Sequence, residues 1–593
     1  MSETTTRRIS SMDTAAPKTW QGRLTGWCQA RYGPYAAIIT LVGAVVVGVG
    51  GVLAWTYDAS YAGDLTVAFS PIGGQRWAIG GAVALIVMTL LDGVLQRPLG
   101  RFFPLGGVKA SLILSVALLL MGVVVAIRAS KVLGGLANVN TGLWLVIAGG
   151  LVATAGAIGR VEPERPALKA PKPLPAWLDF IIIAVTIGLG LVVAVKALDS
   201  SDEVTFMCIL FVVGGIAAAL QFSGLLPRIS AITASHYGVT IAASFIAAII
   251  FPFTQGTNGA YLSIAVNVAI FAAAAIGLNI VVGLAGLLDL GYIAFTGVGA
   301  YYAALFSGAA SSRFAGHHQP FLAVLVGGAV VAAIFGLIIG APTLRLRGDY
   351  LAIVTLGFGE IFRITVNNLN GQSGPNITGG AQGIYGVPDL DVFGVNFGKN
   401  QTIFGTQLSY FANYYFAALI LIAFVMFIFI RANSSRIGRA WVAIREDETA
   451  ASAMGVNTFK LKLLAFAMGA FLAGLAGTIQ AHSLSSVTPD SYVFLNSSFL
   501  LSAVVLGGMG TVMGPLLGAV LLLVIPEKLR FFQEWRLWLF GLALILMMRF
   551  RPEGLIASRR RALEFHEAED DDAEAPLSGG LGAPPGAGHG GVL

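Results

Sequence analysis

The sequence predicts an all-α, polytopic integral membrane protein with about sixteen helical crossings and both termini cytoplasmic. Three observations lead there. Apolar runs close to twenty residues long recur along the chain, which is the length a helix needs to cross the hydrocarbon of a bilayer. Hydrophobic residues make up 56% of the 593 and charged residues only 11%, a balance foreign to soluble, disordered or collagen-like chains. The 75 glycines suit helices that must approach closely where lipid provides no hydrophobic drive between them.

Six crossings are expected before residue 230, over Tyr35–Thr56, Trp77–Leu95, Ala110–Ile127, Thr141–Ile158, Trp177–Leu198 and Thr205–Phe222. A further six follow over Tyr237–Phe253, Tyr261–Gly283, Leu284–Ser307, Pro320–Ala341, Tyr350–Val366 and Asn413–Ile430. Lys460–His482 comes next, and the long apolar region Ser497–Ile525 is expected to cross twice, breaking near Gly507, Gly508, Gly510 and Gly514. Trp535–Arg549 is the last expected crossing.

Charge placement supports this order, because cytoplasmic loops hold the excess of Lys and Arg. With the N-terminus inside, Arg97, Arg101 and Lys109, then Arg160, Arg165, Lys169 and Lys172, then Arg228, Arg345 and Arg347 all fall inside. Arg431, Arg436, Arg439 and Arg445 do so too, as does the final cluster Arg549, Arg551 and residues 559–561. Asp58 and Asp64, the acidic residues at 199–203 and the long loop 367–413 fall outside. Arg128 and Lys131 depart from the pattern, as does the turn at 528–536.

Several function classes drop out. The net charge of +6 could point to nucleic acid, but the cations sit in short loops beside apolar runs and are explained by topology. The two cysteines, Cys28 before the first crossing and Cys208 inside one, predict no disulfide. The basic first thirty residues lack an apolar stretch and cleavage site, so no removable signal peptide is expected. The six histidines are scattered: His317 and His318 share a short external loop, and His566-Glu567 lacks the second histidine of a zinc motif. No metal site and no enzymatic constellation are expected. Residues 564–574 are acidic and 576–593 rich in Gly and Pro, the composition of a disordered tail.

The densest polar island between long apolar runs is Gly438–Asn457, GRAWVAIREDETAASAMGVN. Trp441, Ile444 and Ala451 share a stripe at helical spacing, Glu446 faces roughly the opposite way, and Gly455 can end the helix. Periodicity leaves two readings open: a basic loop that holds two crossings in register, or one surface helix that docks on a soluble partner.

Gly277–Tyr301 carries glycines at 277, 283, 286, 291, 297 and 299 through two consecutive crossings. They permit either close helix packing or a broken helix that presents backbone groups to a solute. Asp289 in this stretch would cost roughly 2.5 to 3.5 kcal/mol at the bilayer centre, and less near a membrane face. Glu360 and Arg363 lie three apart on one helical face and can neutralise each other, as a structural pair or as a gate. Arg345, Arg347 and Asp349 sit at a cytoplasmic helix entrance, as topology anchors or as a second partner contact.

Taken together, GRAWVAIREDETAASAMGVN, Phe459 to Lys462, and AFAMGAFLAGLAGT from Ala465 resemble the coupling-helix region of ABC importer permeases. More narrowly, LRLRGDYLAIVTLGFGEIFRI (Leu344–Ile364), GLNIVVGLAGLLDLGYIAFTGVGAY (Gly277–Tyr301), VVLGGMGT (Val504–Thr511) and RPEGL (Arg551–Leu555) are similar to the branched-chain amino acid permeases of the LivM type. The likeness runs from about Tyr261 to Ile556.

That resemblance implies a bacterial inner-membrane permease subunit without its own ATPase, and the chain has no GxxxxGK[ST] loop. Its expected partners are a second related permease subunit, two ABC ATPase subunits carrying ATP and Mg, a periplasmic substrate-binding protein and membrane lipid. No nucleic acid and no cofactor on this chain are expected. The implied division is a cytoplasmic segment 1–34, additional membrane helices 35–230, an ABC permease core 231–558 with a coupling helix 438–457, and the tail 559–593. The additional helices depart from the family pattern.

The ATPase contact is assigned to Trp441, Ile444, Glu446, Asp447, Glu448, Ala450, Ala451 and Gly455. Candidates for the translocation path are Asn279, Gly286, Asp289, Gly291, Tyr292, Thr355 and Glu360. Thr378, Gly379 and Gly380 mark an external loop, where the family's TGGPNGI reads TGGAQGI, with Ala381 and Gln382 at the Pro and Asn positions. The expected cargo is Leu, Ile or Val. Alternatives are urea or short amides on the same architecture, an ion-coupled secondary transporter with inverted repeats, and a membrane scaffold or sensor.

Overall fold

The computed structural model describes residues 31–57, 65, 68–69, 73–91, 103, 105–160, 175–199, 203–314, 316, 318–344, 349–372, 375–392, 394–403, 405–528, 538, 541–542, 545, 549 and 554–556. The expectations for most of segment 1–34, for Asp58, Asp64, Arg97, Arg101, Arg165, Lys169, Lys172, Arg345 and Arg347, for most of the last crossing and for the tail lie outside the described residues. The placement of both termini lies outside them as well.

Among the described residues there are eighteen α-helices. Eleven helical segments are long and apolar enough to cross a membrane by length and composition, and four further apolar helices are shorter. The N-terminal part comprises α1 (Ala36–Val52), α2 (Gly74–Leu90), α3 (Val108–Val132), α4 (Thr141–Ile158), α5 (Ala176–Asp199), α6 (Glu203–Ser223), α7 (Leu225–Ser235) and α8 (Tyr237–Gln255). The larger part comprises α9 (Gly259–Asn279), α10 (Ile293–Phe306), α11 (Phe321–Thr343), α12 (Asp349–Asn368), α13 (Phe411–Ser434), α14 (Arg436–Glu446), α15 (Glu448–Ala453), α16 (Thr458–Leu484), α17 (Phe494–Gly507) and α18 (Met513–Lys528).

Two hydrophobic clusters form. One is built by α1–α4 and α6 around Trp55, Leu85, Leu114, Leu118, Met121 and Val146. The other is built largely by α9–α18 around Leu278, Tyr292, Phe295, Phe429, Trp441 and Phe466. In the first, the buried Arg160 donates to Ser111 Oγ at 2.8 Å and to the Thr89 carbonyl at 3.1 Å, which ties the ends of three helices together and satisfies a cation that burial alone would penalise. Helices α5, α7 and α8 pack on one another, with Phe180 edge-on to His236. They expose Val185, Leu189 and Ile246, as lipid-facing helices do.

Capping residues explain many of the boundaries. Asn140, Asn258, Ser435, Asp447 and Asn457 each accept a backbone N–H at the start of a helix, supplying partners to donors that have none within the helix. Helix α3 runs past the expected end at Ile127 to Val132 and takes Arg128 and Lys131 into its last turns. Long cationic side chains there can reach a membrane face.

Two expectations need correction. The crossing expected over Leu284–Ser307 is helical only from Ile293. A π-helical turn, Ile280–Leu284, ends α9, and residues 285–291 are unwound. The single surface helix expected over 438–457 is two helices, α14 and α15, broken at Asp447, whose backbone is extended. The break occurs because the Asp447 carboxylate accepts from Thr449 N (2.8 Å) and Ala450 N (3.0 Å) and so starts a new helix. By contrast, Ser497–Ile525 divides as expected, into α17 and α18 with the turn at 508–512.

Short antiparallel pairs form on the expected external side. Ile384–Tyr385 pairs with Ser486–Val487 beyond α16, and two small pairs lie within 391–396 and 401–408. The loop 367–413 is thereby pinned to the end of α16.

Candidate functional site

The polar island forms a short helical elbow with two different faces. Trp441, Ile444 and Ala451 are buried against the chain's own bundle. The Trp441 indole N–H donates to the Leu461 carbonyl at 2.7 Å. These three residues, expected on a docking face, instead anchor the elbow, because an apolar stripe packs against the nearest apolar surface in its own chain. The outer face carries Glu446, Asp447, Ala450 and Gly455 together with Met454, which is 84% exposed.

Of the acidic residues, Glu446 pairs with Arg445 at 2.7 Å and Glu448 with Lys462 at 2.6 Å, while Asp447 is spent on capping. Gly455 closes α15. Its φ of +82° is left-handed, its N–H meets the Ser452 carbonyl at 3.0 Å, and Val456 N–H meets the Ala451 carbonyl at 3.1 Å, the hydrogen-bond pair of a Schellman ending.

A residue that periodicity did not single out joins this elbow to the membrane core. Arg445 Nη1 donates to the Gly283 carbonyl at 2.8 Å, within the π turn that ends α9. Carbonyls at a helix end have no partner in the helix, and a guanidinium is a strong donor for one. Gly286, at φ +72°, lets the Arg445 stem pass: a Cβ there would lie 2.4 Å from Arg445 Cγ.

Most of the expected path residues assemble around the unwound segment 285–291. Asn279, fully buried, donates to the Thr511 carbonyl at 2.6 Å and accepts from Gly510 N at 2.9 Å, which holds the α17–α18 turn against α9. Asp289 is also fully buried. Its Oδ1 accepts from Gly291 N at 2.9 Å, and its Oδ2 has no hydrogen-bond partner among the described residues. Leu290 N–H donates to Thr355 Oγ1 at 3.0 Å.

At Gly291 the backbone passes so close to α12 that a Cβ would lie 1.8 Å from the Thr355 carbonyl oxygen. The Tyr292 hydroxyl donates to the Gly469 carbonyl on α16 at 2.7 Å. Within segment 285–291, Leu290 N–H is thus taken by Thr355 and Gly291 N–H by Asp289, while the flanking Gly283 and Tyr292 are bonded to Arg445 and Gly469.

Glu360 stands apart from this group. It pairs with Arg363 at 2.9 Å, and both are partly exposed on α12. The Thr378 hydroxyl donates to the carbonyls of Val366 and Leu369, finishing α12, while Gly379 and Gly380 take left-handed φ values in the turn that follows. These residues shape the loop.

None of the expected path residues lines either of two cavities in the half of the core expected to face outward, each about 330 Å³. The deeper one lies between α9, α10, α16, α17 and α18, with Asn267, Thr296, Gln480, Asn496 and Glu527 among its walls. The outer one lies by Asp389, Tyr410 and Tyr414. Single polar residues spread over five helices give no sequence signal. Only their isolation within apolar runs could have drawn attention to them.

The family described as branched-chain amino acid transport system / permease component matches residues 260–548, so α1–α8 precede the matched region. The chain is 37% identical over 367 residues to the high-affinity branched-chain amino acid transport system permease protein LivM of Salmonella typhimurium, covering 59% of this chain and 82% of that protein. It is 38% identical over 359 residues to LivM of Escherichia coli, covering 58% and 80%. The Salmonella typhimurium permease protein LivH is 38% identical over 96 residues, covering 16% and 30%. No solved structure matches the chain.

Proposed function

Because the chain belongs to the branched-chain amino acid transport permease family, we propose that it forms half of the pore of an ATP-driven ABC importer for Leu, Ile or Val. It is a multi-pass membrane transport component, and ATP hydrolysis is the work of other subunits. The observation that carries the proposal is the 37% identity to LivM across 82% of that protein. A second, related permease subunit completes the pore in this reading, and the shorter likeness to LivH supports it. Two ATPase subunits holding ATP and Mg, a periplasmic substrate-binding protein and the inner membrane of a bacterium complete the setting. This chain binds no cofactor of its own.

The geometry suggests how force from the ATPases reaches the pore. A partner gripping the outer face of α14 and α15, at Glu446, Ala450, Met454 and Gly455, would move a body fixed to the core at three points. Trp441 to Leu461 and Glu448 to Lys462 lead into α16. Arg445 to Gly283 leads to the end of α9 and the unwound segment. The two routes meet again where Tyr292, following that segment, bonds to Gly469 of α16. A packed element of this kind switches between discrete arrangements more readily than it deforms.

The test is to purify the chain with the products of neighbouring genes and measure ATP-dependent uptake of leucine, isoleucine, valine and urea. Saturable uptake of the three aliphatic amino acids supports the proposal. Preferential uptake of urea overturns the cargo assignment, and failure to recover an ATPase-containing complex overturns the assembly.

A further inference from the structure

We propose that the external half of the amino-acid path runs through the two cavities that share Asn267, and that Asn267 with Gln480, Asn496 and Glu527 receives the charged head of a branched aliphatic amino acid. This inference rests on the transport reading above. Asn267 lines both cavities. Its Nδ2 donates to the Ser263 carbonyl at 3.1 Å, which fixes the amide at their junction. The outer cavity carries Asp389, whose Oδ1 accepts from the Tyr414 hydroxyl at 2.9 Å. The deeper cavity follows α9 inward from Asn267 to Ala274 and reaches Ile293 and Thr296.

The lining matches the chemistry of a zwitterion. Both charges of an amino acid need partners once water is removed. The amides of Asn267, Gln480 and Asn496 can donate to a carboxylate, and Glu527 is a carboxylate for the ammonium group. Ile270, Phe271 and Leu500 provide apolar wall for an aliphatic side chain. A mostly apolar cavity with a few convergent polar groups, between about 300 and 1,000 Å³, is the usual form of a small-molecule site. A groove meant only for lipid would not carry these polar groups, since each is costly against hydrocarbon. The cavity also ends beside the moving parts: Ile293 N–H donates to Ser497 Oγ at 3.3 Å, two residues beyond Gly291 in the unwound segment.

The test uses the complete transporter in proteoliposomes, with leucine as the probe. Asn267→Leu keeps the side-chain volume roughly and removes the amide. The KM for leucine is expected to rise about tenfold, with partial recovery in Asn267→Gln. If Asn267→Leu folds poorly, Asn496→Cys in a chain lacking Cys28 and Cys208 reports instead. A membrane-impermeant thiol reagent should modify it from outside, and leucine delivered by the binding protein should slow that modification. An unchanged KM in Asn267→Leu, or modification that leucine does not slow, overturns the inference while wild-type uptake leaves the transport reading in place. Absence of leucine uptake by the wild-type complex overturns both.

Discussion

Arg445 and Gly283 lie 162 residues apart in the chain and meet through a 2.8 Å hydrogen bond from the guanidinium to the carbonyl. The donor belongs to the elbow of α14 and α15 and the acceptor to the turn where α9 gives way to unwound backbone. Through this bond a surface element is joined to the interior of the membrane core without a chain of intermediates.

Arg445→Ala removes that join and leaves the Gly283 carbonyl short of a partner. A hydrogen bond from a charged donor is worth about 1.5–3 kcal/mol, so the ratio of leucine transported to ATP hydrolysed should fall roughly ten- to a hundredfold while the complex still assembles. Arg445→Lys should recover little, because the ammonium lacks the planar fork that serves Gly283 and Glu446 together. Parallel measurements of uptake and phosphate release check this, and a variant with unaltered coupling would show the join to be idle.

Trp441 distinguishes anchoring from docking. With its indole buried and bonded to the Leu461 carbonyl, which also accepts within α16, Trp441→Phe should lower stability by about 1 kcal/mol through the lost hydrogen bond, and Trp441→Ala by about 3–5 kcal/mol. Thermal unfolding of the isolated chain in detergent reads this out. Loss of ATPase binding at unchanged stability would instead place Trp441 on the docking face.

Gly455 and Glu446 test the outer face. Proline fixes φ near −65° and has no N–H, whereas Gly455 uses φ +82° and donates to Ser452. Gly455→Pro should therefore disrupt the end of α15 and abolish association with the ATPase subunits, as measured by co-purification. Glu446→Arg sets two cations side by side where a 2.7 Å pair now stands. Because an exposed pair contributes only about 0–1 kcal/mol, any large loss of association reports on the partner rather than on folding. Normal assembly of both variants would remove the docking proposal.

Gly291→Ala should be among the most damaging small substitutions in the core. Its Cβ would fall 1.8 Å from the Thr355 carbonyl oxygen, backbone that can yield only if α12 moves. Loss of stability by roughly 1–3 kcal/mol together with loss of uptake is expected, in contrast to Gly357→Ala on α12, two residues after Thr355, where a Cβ meets nothing within 4 Å. Equal tolerance of both substitutions would contradict the close approach.

Much of this architecture is legible in the sequence because it follows from local rules. Apolar run length marks the crossings, the glycines near 508 mark the turn between α17 and α18, the three-residue spacing of Glu360 and Arg363 marks their pair, and Gly455 marks the end of α15. What escapes is decided by neighbours distant in sequence. Helical spacing puts Trp441, Ile444 and Ala451 on one face, but whether that face meets a partner or the chain's own α16 is not encoded in the spacing. The glycines of Gly277–Tyr301 allow either a packed or a broken helix, and their spacing does not choose between them for segment 285–291. That segment unwinds because Asp289, Thr355 and Arg445 supply bonds that compete with the helix, and two of those three lie far along the chain. The single local warning at Asp447 is a good helix-capping residue inside an otherwise helical pattern.

The central claim, that this chain is half of an ATP-driven importer for branched-chain amino acids, is tested most directly by the initial rate of leucine uptake into proteoliposomes holding the complete complex and its solute-binding protein. The account predicts uptake only with ATP sealed on the ATPase side, insensitive to an imposed ion gradient. Leucine uptake by the isolated chain, driven by an ion gradient without ATP, would contradict it.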